Sequence, residues 1–184
     1  MVFKFYLPIW SQAIIARLAF YPTLVYGCLR TSPNRRWYDR IDNKVILGAL
    51  PFYKTAKALV SMENISAVVT LNEPYELRYF CPKKTEWNLL GVQQLHIPTV
   101  EYSDAPSISK IESALDFINK SSSSVYVHCK AGRSRSATVV VCYLIKQYKM
   151  SSDDAIQFVR EKRPHIAFSE THYQRILEYS SIVS

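Results

Sequence analysis

Val125-Tyr126-Val127-His128-Cys129-Lys130-Ala131-Gly132-Arg133-Ser134-Arg135-Ser136 decides the fold, because a short β-branched strand delivers a cysteine into a turn of small residues that ends in an arginine. Cys129 and Arg135 enclose five residues, and the apolar run from Ala137 to Ile145 reads as a buried helix. Backbone N–H groups of Lys130, Ala131, Gly132, Arg133 and Ser134 and the start of that helix are thus expected to converge on one anion. The same positive field acidifies a thiol. A free cysteine titrates near 8.5, and beside cations or a helix N-terminus it falls to roughly 3.5–7.5. A thiolate is the nucleophile that phosphate-ester cleavage through a cysteinyl-phosphate needs.

Outward from this turn, the chain reads as strands alternating with helices. Val45-Ile46-Leu47, Ala67 to Leu71 and Gln93 to Ile97 are expected strands. Lys54 to Met62, Lys84 to Leu90, Ser109 to Asn119, Asp153 to Lys162 and Ser169 to Tyr179 are expected helices, with Ser109 and Ser152 as caps. That alternation predicts an α/β fold, a central mostly parallel sheet flanked by helices, with ligand at the carboxyl ends of the strands. The Cys129 turn falls there, between a strand and a helix.

The chain has 184 residues, 48% of them hydrophobic, enough for one domain with a real core and too few for a second catalytic domain. Its net charge of +8 is uneven. Residues 1–38 hold Lys4, Arg17, Arg30, Arg35 and Arg36 and no acid, while the remainder carries 18 basic against 15 acidic residues. No basic-aromatic stripe or nucleic-acid motif accompanies this excess, so no nucleic-acid partner is expected. The four cysteines form no disulfide framework, and Cys28, Cys81 and Cys142 read as small buried hydrophobes in a reducing compartment. His96, His128, His165 and His172 lack ligand spacing, so no metal or other cofactor is expected.

The first 36 residues form a separate expectation. Apolar, aromatic and acid-free, with Pro8 and Pro22 breaking the run, they suit an organellar targeting or membrane-surface segment plus linker, followed by a catalytic domain over residues 37–184. A helix packed on the domain is the alternative. Arg17 and the prolines leave no clean span of about 20 apolar residues.

In the expected chemistry, Arg135 holds two equatorial phosphate oxygens through its planar fork while Cys129 attacks phosphorus in line. Ser136 either stabilises the departing thiolate or caps the helix. His128 fixes the loop by hydrogen bonding. Lys130 and Arg133 add two cations at the pocket rim, favouring a ligand more anionic than phosphotyrosine. A carboxylic acid on a mobile loop must protonate the leaving oxygen, and Glu101 and Asp104 are both candidates.

His128-Cys129-Lys130-Ala131-Gly132-Arg133-Ser134-Arg135-Ser136-Ala137-Thr138 resembles the signature of dual-specificity, cysteine-dependent phosphatases. Phe20 to Leu24, Trp37 to Asp42, Leu47 to Pro51 and Asn72-Glu73-Pro74-Tyr75-Glu76 narrow the resemblance. They are similar to the mitochondrial phosphatidylglycerophosphate phosphatases of the protein-tyrosine-phosphatase superfamily, over about residues 20–165. The resemblance implies a dual-specificity phosphatase-like fold and a metal-independent enzyme on the matrix side of the mitochondrial inner membrane. Its substrate would be an anionic phospholipid at a membrane surface, phosphatidylglycerophosphate, dephosphorylated on the route to cardiolipin, with weaker action on phosphoinositides or phosphoproteins. It also implies that the loop with Glu73, Tyr75 and Glu76 supports the phosphate turn, where Glu76 or Glu73 pairs with Arg135. Two positions depart from the pattern: Pro74 replaces an acid, and Glu101 stands where the family has an aspartate. A dual-specificity protein phosphatase and a weakly catalytic phosphate-binding module are the competing readings.

Overall fold

The computed structural model describes residues 9–29, 35–101 and 105–183, with side chains from residue 17 onward. Five strands form one sheet in the order β1-β2-β5-β3-β4, where β1 is Tyr38–Arg40, β2 Val45–Gly48, β3 Ile65–Thr70, β4 Gln93–His96 and β5 Ser124–His128. Only β1 runs antiparallel to its neighbour. The helices are α1 Ile9–Leu29, α2 Tyr53–Glu63, α3 Lys84–Leu89, α4 Ile108–Lys120, α5 Arg135–Tyr148, α6 Ser152–Lys162 and α7 Glu170–Val183.

The two-residue period of the strands divides the core. Val45, Leu47, Ala67, Val69, Val125 and Val127 pack toward α4, α5, α6 and α7, while Ile46, Val68 and Tyr126 pack toward α2 and Trp87 of α3. Strands buried on both faces need near-continuous apolar sequence, which β2 and β5 have. Helix α5 is buried along almost its whole length, as its apolar run requires.

Four sequence expectations shift. Ser107, not Ser109, caps α4, accepting from Lys110 N, and Ser151, not Ser152, caps α6, accepting from Asp154 N. The cap of α4 therefore lies two residues earlier than read and that of α6 one residue earlier. Cys28 is exposed, although Cys81 and Cys142 are buried, and none of the four is in a disulfide. Pro22 does not break the N-terminal segment, for α1 runs through it. Thr23 Oγ1 donates to the carbonyls of Ala19 and Phe20 in the turn that the proline disturbs. Phe20 and Leu24 of α1 then bury against Leu50 and Cys81, with Trp37, Phe52, Tyr75 and Leu77 around them. Among the described residues no helix is long and apolar enough to cross a membrane. The expected linker over residues 31–36 lies mostly outside the described residues.

Candidate active site

The carboxyl ends of four parallel strands meet at one point. Leu71 N donates to His128 O (3.0 Å) and Leu50 N to Lys130 O (3.1 Å), so the segments leaving β3 and β2 clamp the loop leaving β5. Gly132 takes φ +65°, and a Cβ there would lie 2.4 Å from Gly48 O. The loop thus turns sharply against β2 in a space that admits only glycine.

Arg163, fully buried, holds this loop from beneath. Its Nε donates to Gly132 O (2.7 Å) and its NH2 to Ala131 O (3.1 Å), while NH1 pairs with Asp39 Oδ2 at 2.6 Å. With its carbonyls fixed downward, the loop's N–H groups are left to face the other side. Ser134 Oγ donates to Ala167 O (2.5 Å) and Arg133 Nε to His165 O (2.8 Å), tying the loop to the segment between α6 and α7.

Cys129 is buried at the base of the loop, and Ser136 Oγ donates to its Sγ at 3.2 Å. Burial pushes the thiol up, but the charge of Arg135, the Ser136 hydroxyl and backbone N–H bonds from Ser136 and Arg133 outweigh it, and its pKa falls below the ordinary thiol value. Ser136 is therefore aimed at the sulfur. His128 Nε2 lies 3.0 Å from Thr70 Oγ1, which accepts from Gln94 Nε2, and burial drives the imidazole down to about 3. The ring stays neutral and braces the end of β5.

Arg135 stands at the first position of α5. Glu76 takes it from two sides, Oε1 to NH1 at 2.9 Å and Oε2 to NH2 at 3.2 Å, and Thr99 O accepts from NH1 at 2.8 Å. Burial alone would lower the Arg135 pKa, and the carboxylate of Glu76 together with the Cys129 charge reverses that, so the guanidinium stays charged. Glu76 is 1% exposed and also accepts from Asn72 Nδ2, so its charge is fully compensated. Of the two candidate partners, the structure brings Glu76 to Arg135. Glu73 stays half-buried, its pKa raised by burial and by the nearby Glu76 charge. Tyr75 packs edge-on against Phe20 of α1, with the Arg17 guanidinium 5.4 Å from its ring centre.

Glu101 reaches the pocket with Oε2 3.8 Å from Arg135 NH2 and 2.6 Å from Lys130 Nζ. Asp104 lies outside the described residues. Lys130 and Arg133 both line the cleft, as expected. Lys130 is 5% exposed, paired with Glu101, and donates to Thr23 Oγ1 of α1 at 3.0 Å, so its charge is neutralised within the protein. The cleft above Cys129 has a volume of about 520 Å³ and is walled by Leu24, Tyr26, Trp37 and Phe168 together with Arg35, Arg36 and Arg133. No group of three or more His, Cys, Asp or Glu side chains that could hold a metal occurs among the described residues.

Sequence reading missed Arg163, Asp39, Asn72 and Thr23. Asp39 sits in a quoted segment, yet its role depends on an arginine 124 positions away. An acidified cysteine flanked by a fixed guanidinium, by the backbone N–H groups of Arg133 and Ser136 and by a carboxylate at the rim is equipped for in-line transfer of a phosphoryl group.

Residues 49–182 match the family profile "Dual specificity phosphatase, catalytic domain". Mouse phosphatidylglycerophosphatase and protein-tyrosine phosphatase 1 is 41% identical over 177 residues, covering 92% of each chain. The phosphatidylglycerophosphate phosphatase PTPMT2 of Arabidopsis thaliana is 39% identical over 173 residues, 91% of this chain and 74% of that one. Among solved structures, PTPMT1 in complex with PI(5)P superposes with a TM-score of 0.77 at 39% identity, covering 80% of this chain and 96% of that one.

Proposed function

Because the chain belongs to the dual-specificity phosphatase family, we propose that it is a phosphoric monoester hydrolase that dephosphorylates phosphatidylglycerophosphate to phosphatidylglycerol through a cysteinyl-phosphate. Cys129 thiolate attacks phosphorus, the S–P bond forms as the P–O ester bond breaks, and Glu101, protonated in the substrate complex, gives that proton to the leaving oxygen. Asp104 is the alternative donor. Water then attacks phosphorus with the same carboxylate now acting as base, the P–S bond breaks, and the Ser136 hydroxyl donates to the returning thiolate. Arg135, its NH1 and NH2 locked by Glu76, presents the Nε side of its fork to the equatorial oxygens. Lys130, Ala131, Gly132, Arg133 and Ser134 supply the cradle of backbone N–H groups.

The observation that carries the lipid reading is the cleft over Cys129, which joins arginines to apolar walls and far exceeds the volume of a phosphate group. A phospholipid headgroup with its glycerol backbone matches that mixture of charge and grease. Relatives and a solved structure whose names include phosphatidylglycerophosphatase and PI(5)P support it. The term protein-tyrosine phosphatase in the same relative's name favours a second activity on phosphoproteins.

The acid-free first 38 residues and the exposed Leu18, Val25, Tyr26 and Leu29 of α1 support a mitochondrial, membrane-surface location on the matrix side of the inner membrane. Residues 1–36 then serve as targeting or membrane-associating segment and residues 37–184 as catalytic domain. The test is metal-free phosphate release from phosphatidylglycerophosphate in vesicles, beside a phosphotyrosine peptide, with Cys129→Ser as the blank. Lipid turnover that exceeds peptide turnover and vanishes in the blank is expected. A folded protein active on the peptide alone would overturn the lipid reading.

A further inference from the structure

Helix α1 touches the site at two places. Thr23 Oγ1 and the ring of Phe20 both meet Lys130 Nζ, at 3.0 Å and at 5.6 Å from the ring centre. Phe20 also packs edge-on against Tyr75, centroids 5.8 Å apart, in the turn that carries Glu76. One helix thus braces the lysine beside the nucleophile and the turn that locks Arg135.

Lys130 is the hinge of this arrangement. Its ammonium lies between Thr23 and Glu101, 2.6 Å from Oε2, and that carboxylate stands 3.8 Å from Arg135. A lysine side chain carries about 2 kcal/mol of rotamer freedom, which an exposed pair with a single carboxylate rarely restrains. Here the ammonium is buried against an aromatic face and has a hydroxyl acceptor on a rigid helix. Thr23 spends its own hydrogen on Ala19 O, which leaves an oxygen lone pair for the lysine. Of the two cations that face Glu101, Lys130 at 2.6 Å holds its head and Arg135 at 3.8 Å stands off, so its place over the pocket depends on the lysine.

We infer that α1 is a working part of the active site, with Thr23 a positioning residue that fixes Glu101 over the pocket through Lys130. This rests on the reading of Glu101 as proton donor. It also means that the active chain keeps α1 after any targeting step, since the helix supplies two of the three named neighbours of Lys130.

The experiment uses the full chain and two substrates that differ in their need for an acid. From a water-soluble short-chain phosphatidylglycerophosphate the leaving group is the alkoxide of phosphatidylglycerol, which needs a proton, whereas p-nitrophenyl phosphate releases a stabilised phenolate, which does not. A soluble lipid also removes membrane attachment from the comparison. Thr23→Val keeps the shape of the side chain and deletes the acceptor. Its kcat on the short-chain lipid is expected to fall about tenfold, a misplacement effect, with less than a twofold change on the aryl phosphate and KM little altered. Thr23→Ser is expected to restore the rate, and melting temperatures monitor the fold. Glu101→Gln, run alongside, should show the same split between substrates with a larger loss. If Glu101→Gln splits the substrates and Thr23→Val does not, the positioning role is overturned while the acid assignment stands. If Glu101→Gln shows no split, the acid assignment falls, and this inference with it. Equal losses on both substrates in Thr23→Val would assign α1 a purely structural role and overturn the proposal.

Discussion

Replacing Arg163 by methionine removes the brace beneath the phosphate loop while keeping a long apolar stem in the same space. The guanidinium is fully buried and reaches Gly132 O at 2.7 Å, Ala131 O at 3.1 Å, Arg36 O at 3.2 Å and Asp39 Oδ2 at 2.6 Å. Deleting one partner of such a pair leaves a buried carboxylate uncompensated, which costs about 3–5 kcal/mol. Asp39 retains Arg36, whose Nε lies 2.5 Å from Oδ1, so the loss belongs in the lower half of that range. For a chain of this size each kcal/mol moves the melting temperature by roughly 2–4 °C, giving a drop of about 6–16 °C. Activity should fall as well, because two loop carbonyls lose their donor and their peptide planes become free to turn away from the anion. A fall of about a hundredfold in kcat at temperatures well below melting is expected. Arg163→Lys restores the charge without the fork and should melt between the two. Thermal unfolding and steady-state kinetics on one preparation decide the matter. A methionine variant that melts within 2 °C of wild type with unchanged kcat would refute the brace.

Gly132→Ala forces a Cβ to 2.4 Å from Gly48 O at φ +65°, so it should destabilise the chain by at least about 1–3 kcal/mol and abolish phosphate release, checked by urea unfolding and turnover. Alkylation of Cys129 by iodoacetamide should show a pH midpoint below the ordinary thiol value of about 8.5, and Ser136→Ala should move that midpoint upward by removing the hydroxyl from the sulfur. His128, which burial holds down to about 3 in the fold, regains a pKa near 6.5 when unfolded. Protons therefore favour the unfolded chain below pH 6.5, and stability should decline by up to about 1.4 kcal/mol per pH unit as pH falls from 6.5 toward 3. His128→Gln should flatten that slope, and an unchanged slope would mean that the imidazole is not neutral in the fold.

The sheet and the phosphate loop were legible because their signals are local. Apolar and β-branched residues in runs of three to five mark β2, β3 and β5, and cysteine, glycine and arginine at fixed spacing mark the loop. β1 was not legible, since Tyr38-Asp39-Arg40 has no strand pattern and forms only as a partner for β2. Pro22 was read as a break because local chemistry says so, and the burial of Phe20 and Leu24 overrides it. The Asp39–Arg163 pair and the contact between Thr23 and Lys130 join residues more than 100 positions apart, and no spacing rule reaches that far. Lys130 was legible as a cation of the cleft, but sequence hides the Glu101 carboxylate that neutralises it.

β5 lies between β2 and β3, which share no hydrogen bond with each other. As the chain leaves the ribosome, residues 45–48 and 65–70 are present long before residues 124–128, and their facing edges stay open until that last strand arrives. The strand that zips the two halves together is the one that ends at Cys129. Nucleophile and sheet closure therefore arrive in the same event, and a nascent chain halted before β5 carries neither.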